Sequence, residues 1–211
     1  MPSVVTAANL SPPVEIVIVD YGDQPSLAPL LKDVRRSLLP ENSLRIKTYR
    51  KRKYYHMAHA RNLSIREATG EYVVITSTDI LPVPQFFKMV RELLAKTCAT
   101  YLRSVNDFCI GIIVCSRKEM IAVGGYDERF EFYGPEDKDI LRRLSRKGSI
   151  AGYYDLHTLI SMILTPDDKK VANYRLPLSK REMSVRGKDI LFENDAANLV
   201  VANQGIEWGK G

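Results

Sequence analysis

Cysteine is scarce in this chain. The three present, Cys98, Cys109 and Cys115, cannot all pair, and none has metal-site spacing with a histidine or another cysteine. They are expected as buried free thiols in a reducing compartment, which excludes a disulfide-built secreted scaffold. Long apolar runs are missing as well, and none is sufficient to span a bilayer. The opening MPSVVTAANLSPP has no basic region followed by an apolar core, so no secretory signal is expected and the chain reads as soluble and cytoplasmic. There is no glycine-rich phosphate loop after a first strand, which weighs against a nucleotidyltransferase. Internal repeats, low-complexity tracts and nucleic-acid motifs are absent too, and no nucleic-acid partner is expected.

What remains is enough for one substantial core. The chain has 211 residues, 45% of them hydrophobic, and a formal charge of +6 that suits an anionic ligand. VEIVIVD, ending at Asp20, reads as a central parallel strand buried on both faces, and EYVVITSTDI as a second, delivering Ser77, Thr78 and Asp79 at its carboxyl end. Ligands of open α/β sheets bind beyond such strand ends. Asp20 is therefore placed either to touch a ligand or to stabilise a turn, and Asp79 either to ligate a cation or to cap the following helix. Helical patterns cover Ser26–Leu39, Met57–Thr69 and Pro84–Lys96, and Ser3–Ala8 reads as a short strand. Residues 1–175 are expected to form one α/β domain, with 176–211 as a polar extension packed on it through Trp208. The basic segment 45–61 is expected as a solvated loop, with attraction of a diphosphate, an anionic glycan or, peripherally, a membrane surface as its alternatives.

The most informative stretch is FYGPEDKDILRRL. Pro135 suits the first helical position, and Glu136 and Asp137 follow in the first turn, at the positive end of the helix dipole. Ile140, Leu141 and Leu144 set Asp137 at the edge of the buried stripe. Such acids ordinarily serve helix stability. Tyr126, Phe130, Phe132 and Tyr133 surround them, suited to stacking on a sugar and equally to a small local core. Gly111, inside an apolar run, signals close approach of a ligand or another backbone.

Taken together, GGYDERFEFYGPEDKD and HARNLSIREATGEYVVITSTDI, in this order and separation, resemble the inverting GT-A glycosyltransferases, the group of the family 2 enzymes and the β-1,4-galactosyltransferases. The resemblance covers roughly Val14 to Asp168. It implies an α/β, Rossmann-like GT-A fold with a predominantly parallel central sheet and helices on both faces. It also implies transfer of a sugar from a nucleotide donor, UDP-linked, to a hydroxyl of a glycan or glycoconjugate acceptor. Asp137 is then the general base. Glu136, Tyr133 and Gly134 bind the acceptor, and Asp20, Arg61 and Ser77 the nucleotide. Asp79 holds Mn²⁺ or Mg²⁺, with Met162 matching the methionine of a Met-x-x-His and His157 as a substitute for the missing histidine, since Thr165 stands in its place. Ser77 replaces the first aspartate of the metal motif, so the cation is expected to bind weakly. The family also opens with a strand and a helix ahead of VEIVIVD, and NLSPP leaves no room for that helix. These departures keep a second reading open, a catalytically degenerate GT-A-like domain that binds a glycan or nucleotide.

Overall fold

The computed structural model describes residues 1–21, 27–77, 80–105, 110–155, 159–163, 166 and 177–210. VEIVIVD forms β1 (Glu15–Asp20), which pairs in parallel with β2 (Ser43–Thr48) across the helix α2 (Ala28–Ser37). α3 (Met57–Glu67) leads into β3 (Tyr72–Ile75). Then follow β4 (Ile80–Pro82), α4 (Phe86–Thr97), β5 (Tyr101–Ser104), β6 (Ile113–Ser116) and α5 (Arg117–Ala122). α6 (Glu136–Lys147), β7 (Ala151–Tyr154), β8 (Ile160–Ile163) and α7 (Lys180–Ala196) complete the chain, and α1 (Pro2–Asn9) precedes β1.

Four strands make the main sheet, in the order β3-β6-β5-β7. Alternation along its strands divides the core in two. Val73, Ile75, Ile113, Cys115 and Tyr101 meet α3 and α6 on one face. Val74, Val114 and Leu102 meet α1 and α4 on the other. Helices thus cover both faces, as a GT-A-type sheet requires.

The predominantly parallel sheet does not materialise. Among the described residues β1–β2 and β5–β7 are parallel, whereas β3–β6, β5–β6 and the separate β4–β8 ribbon are antiparallel. The reason lies in β6, which runs against both of its neighbours. The stretch between α4 and α5 contributes both β5 and β6.

Two further differences concern the start of the chain. Ser3–Ala8 is helical within α1, where buried Ala7 and Ala8 pack closely and Pro2 sits in the first turn. A strand there running parallel to β1 would need a crossover of about a dozen residues, and only Leu10–Val14 intervene. Among the described residues no strand joins β1 to β3, which share no ladder. A cavity of about 740 Å³ opens there, lined by Ile16 and Val17 of β1, Val73 and Ile75 of β3, and Phe86 and Val90 of α4. β1 is consequently buried only at Ile16 and Asp20 rather than on both faces.

Candidate active site

The site grows from the start of α3. His56 is the N-cap, its Nδ1 accepting from the His59 N–H at 3.2 Å and its Nε2–H donating to the Glu128 carbonyl at 3.0 Å. Both bonds need the neutral ring. Burial, helped by the charge of Arg52, lowers its pKa to about 4. His56 and His59 are both buried.

Capping in this way aims Arg61 and Asn62 at the segment Gly124–Asp139. Asn62 is fully buried and acts as a latch. Its amide donates to the Tyr126 carbonyl (2.8 Å) and to Glu128 Oε1 (3.0 Å), while its Oδ1 accepts from the Tyr126 N–H (2.7 Å). Gly125 is held at φ +66°, and a Cβ there would lie 2.5 Å from Asn62 Oδ1 and 2.7 Å from the Trp208 ring. Asn203 closes the other side, donating to the carbonyls of Gly124 and Tyr126 at 2.8 and 2.7 Å. Trp208 is buried against the same core and carries Arg66 over its ring at 4.0 Å.

Two acids of the motif are structural. Asp127 and Asp139 share the Asn194 amide of α7, at 3.0 and 2.7 Å. Asp139 also accepts from Arg143 (2.8 Å), whose other nitrogens donate to the carbonyls of Val123 and Gly125. Burial pushes the Asp127 pKa upward, but bonds from Arg129 and Asn194 outweigh it and the net shift is downward. Reading the sequence missed this network because Asn194 lies more than fifty residues from both acids and carries no local signature.

Glu136 and Asp137 have different partners. One nitrogen of Arg61 donates to Asp137 Oδ1 at 2.7 Å and to Glu136 Oε1 at 3.1 Å. The Tyr126 hydroxyl adds a bond to Asp137 Oδ1 at 3.2 Å, and the guanidinium lies 4.9 Å from the centre of that ring. Asp137 Oδ2 faces Gly111, where a Cβ would come within 2.8 Å of it. The close approach expected at Gly111 is thus to a carboxylate. Glu136 Oε2 is buried without a hydrogen-bond partner. Tyr133 and Gly134 are half-buried beside the pair, Gly134 packing against Gly187 of α7.

Across from these acids lies the end of β3. The β3–β6 ladder ends with Ile75 opposite Ile113, two residues from Gly111, which Asp137 approaches. The strand end and the α6 acids therefore share one edge of the sheet. Asp79 and His157 lie outside the described residues. Met162 sits in β8 opposite Leu81, its side chain likewise outside them. Among the described residues no group of three His, Cys, Asp or Glu side chains gathers as a metal site. Asp20 is buried, accepting from Arg50 at 2.8 Å through Oδ2 and at 2.5 Å through its carbonyl. Arg61, expected toward the nucleotide, is turned to the acids. In the basic segment, Arg45 pairs with Glu15 and Lys47 with Glu67, so part of its charge is met by the protein itself. No helix among the described residues is long and apolar enough to cross a membrane.

Residues 95–160, a span that holds Gly111, Glu136 and Asp137, match the family model described as the N-terminal domain of galactosyltransferase. The folded chain superposes on Staphylococcus aureus TarS 1–349 in complex with UDP with a TM-score of 0.58, at 12% identity, covering 86% of this chain and 62% of that one. The catalytic domain of Drosophila β1,4-galactosyltransferase 7 in complex with xylobiose gives 0.52 at 14% identity, over 82% of this chain and 79% of that one. The mannosyltransferase PcManGT of Pyrobaculum calidifontis, in complex with GDP-Man and Mn²⁺, gives 0.50 at 17% identity, over 87% and 75%. The chain has the GT-A fold, and part of it is similar to a galactosyltransferase domain. It spans under two thirds of the TarS segment, and likenesses at these identities establish the GT-A fold. No curated protein matches it in sequence.

Proposed function

We propose that this GT-A domain is an inverting glycosyltransferase that moves a sugar from a UDP-linked donor to an acceptor hydroxyl. One observation supports this above the rest: Asp137 lies against Gly111, two residues from where the β3–β6 ladder ends, on a fold whose neighbours were crystallised with UDP, with GDP-Man and Mn²⁺, and with xylobiose. The acceptor oxygen attacks the anomeric carbon as the bond to the diphosphate oxygen breaks, inverting the centre. Asp137 Oδ2, which makes no hydrogen bond among the described residues, takes the hydroxyl proton, while Arg61 and Tyr126 fix the carboxylate through Oδ1. A single base suffices, with no second carboxylate as nucleophile.

The donor set suits a hard cation held in part by its ligand. Asp79 would hold Mn²⁺ or Mg²⁺ together with diphosphate oxygens, with the Ser77 hydroxyl nearby as a neutral group. Such a cation, when bound, supplies charge that stabilises the departing diphosphate. Asp20, salt-bridged to Arg50, would contact the nucleoside. Tyr133 and Gly134 would border the acceptor.

Calorimetric titration with UDP, with and without Mn²⁺, and assay of UDP release from UDP-sugars test the proposal. Asp137→Asn should keep metal-dependent UDP binding and lose on the order of 10³-fold in kcat. UDP binding with no turnover across a panel of donors and acceptors would favour the degenerate, binding-only domain instead.

A further inference from the structure

The two acids opening α6 share one cation, and this shapes what each can do. Asp137 takes the shorter bond from Arg61 and the Tyr126 hydroxyl as well. Glu136 takes the longer Arg61 bond and is supported by the backbone N–H groups of Glu136 and Gly134, while its Oε2 is buried with no partner. A single guanidinium cannot balance two carboxylates in a site where Glu136 is 2% exposed. The surplus charge is relieved most readily by a proton on the less well-served acid.

We propose that Glu136 meets the acceptor sugar as a neutral carboxylic acid, its Oε2 hydroxyl donating to a ring or glycosidic oxygen, with Arg61 as the positioning residue that holds Asp137 in place. An ionised carboxylate can only accept hydrogen bonds from a sugar's hydroxyls, whereas a neutral acid can recognise an ether oxygen, which has no hydrogen of its own to give. This distinguishes an acceptor with an ether oxygen beside the attacking hydroxyl from a simple alcohol. The acceptor role rests on the functional reading above; the neutral acid does not.

The surroundings agree. Burial and the neighbouring Asp137 charge raise Glu136 to about 8, while Arg61 and the backbone N–H groups of Glu136 and Gly134 pull the other way. Among the described residues, Arg61 on α3 and Asp137 on α6 are the charged groups facing it. Tyr126 has its pKa raised, chiefly by burial and then, against the pull of Arg61, by the two acids, and it stays a neutral donor. Tyr55 acts on the same cluster through Arg61, and Arg186 of α7 lies over the nearby Phe132 ring.

The test is a carbon-13 NMR titration of the glutamate carboxyls in wild type, Glu136→Gln and Arg61→Gln, joined to a pH profile of the transfer reaction. One resonance, missing in Glu136→Gln, should titrate near 8 rather than near the ordinary 4.5, and move higher in Arg61→Gln. Wild-type kcat/KM should fall above that midpoint. Glu136→Gln, which still donates, should lose less than Glu136→Ala and lack the alkaline fall, and Arg61→Gln should lose about 100-fold, mainly in kcat, with Arg61→Lys recovering part. A Glu136 midpoint near 4.5 overturns the proposal even if transfer is observed. A midpoint near 8 with no transfer upholds the neutral acid and removes its acceptor role along with the functional reading.

Discussion

Between Gly124 and Asp139 the chain is fastened from three directions, its backbone by buried Asn62 on α3 and half-buried Asn203 near the C-terminus, and the side chains of Asp127 and Asp139 by buried Asn194 on α7. The opposite half, where β1 and β3 face each other, has no strand ladder across it among the described residues and opens into about 740 Å³ of largely apolar space. The half that holds the acids is thus rigid before any ligand arrives, as a general base must be when a small displacement costs rate. The other half retains room and unpaired strand edges. In the proposed reading the acceptor side is preorganised, and the donor side acquires much of its definition from the nucleotide and cation.

Substitutions can break this contrast. The largest effect on stability is expected from Asn62→Ala, which removes three hydrogen bonds and leaves the Tyr126 N–H and carbonyl without that partner inside the core. Chemical denaturation should show a loss of about 3 kcal/mol. Next comes Gly111→Ala, whose new methyl would press on Asp137 Oδ2 from 2.8 Å. It should lower kcat/KM about 30-fold while shifting stability little, because Asp137, not the core, has to move. At the open end, Arg45→Ala should matter least. Its pair with Glu15 leaves the arginine side chain 46% exposed, and the change should fall within about 0.5 kcal/mol by thermal denaturation. A large loss at Arg45 together with a small one at Asn62 would reverse the comparison.

The same contrast explains how far the chain could be read beforehand. α6 was legible because its signals are local: Pro135 ahead of it, two acids in the first turn, and an apolar stripe at helical spacing. Gly111 was legible because glycine inside a strand-like run has few other reasons. The latches were not. Asn62, Asn194 and Asn203 bond to groups more than fifty residues away, and an asparagine with a distant partner looks like one facing water. Sheet direction failed for a related reason, since the apolar pattern of β6 is the same whichever way it runs. Ser3–Ala8, rich in β-branched residues, suggested a strand, but tertiary packing of Ala7 and Ala8 against α4 and β4 prevails over that preference.

The most direct test is a crystal structure with UDP and Mn²⁺. The predicted result is a cation bound by Asp79 and the diphosphate, with the β-phosphate directed across a sugar-sized gap toward Asp137 Oδ2. A nucleotide seated elsewhere, in the apolar cavity between β1 and β3 for instance, or a cation remote from the α6 acids, would contradict the account.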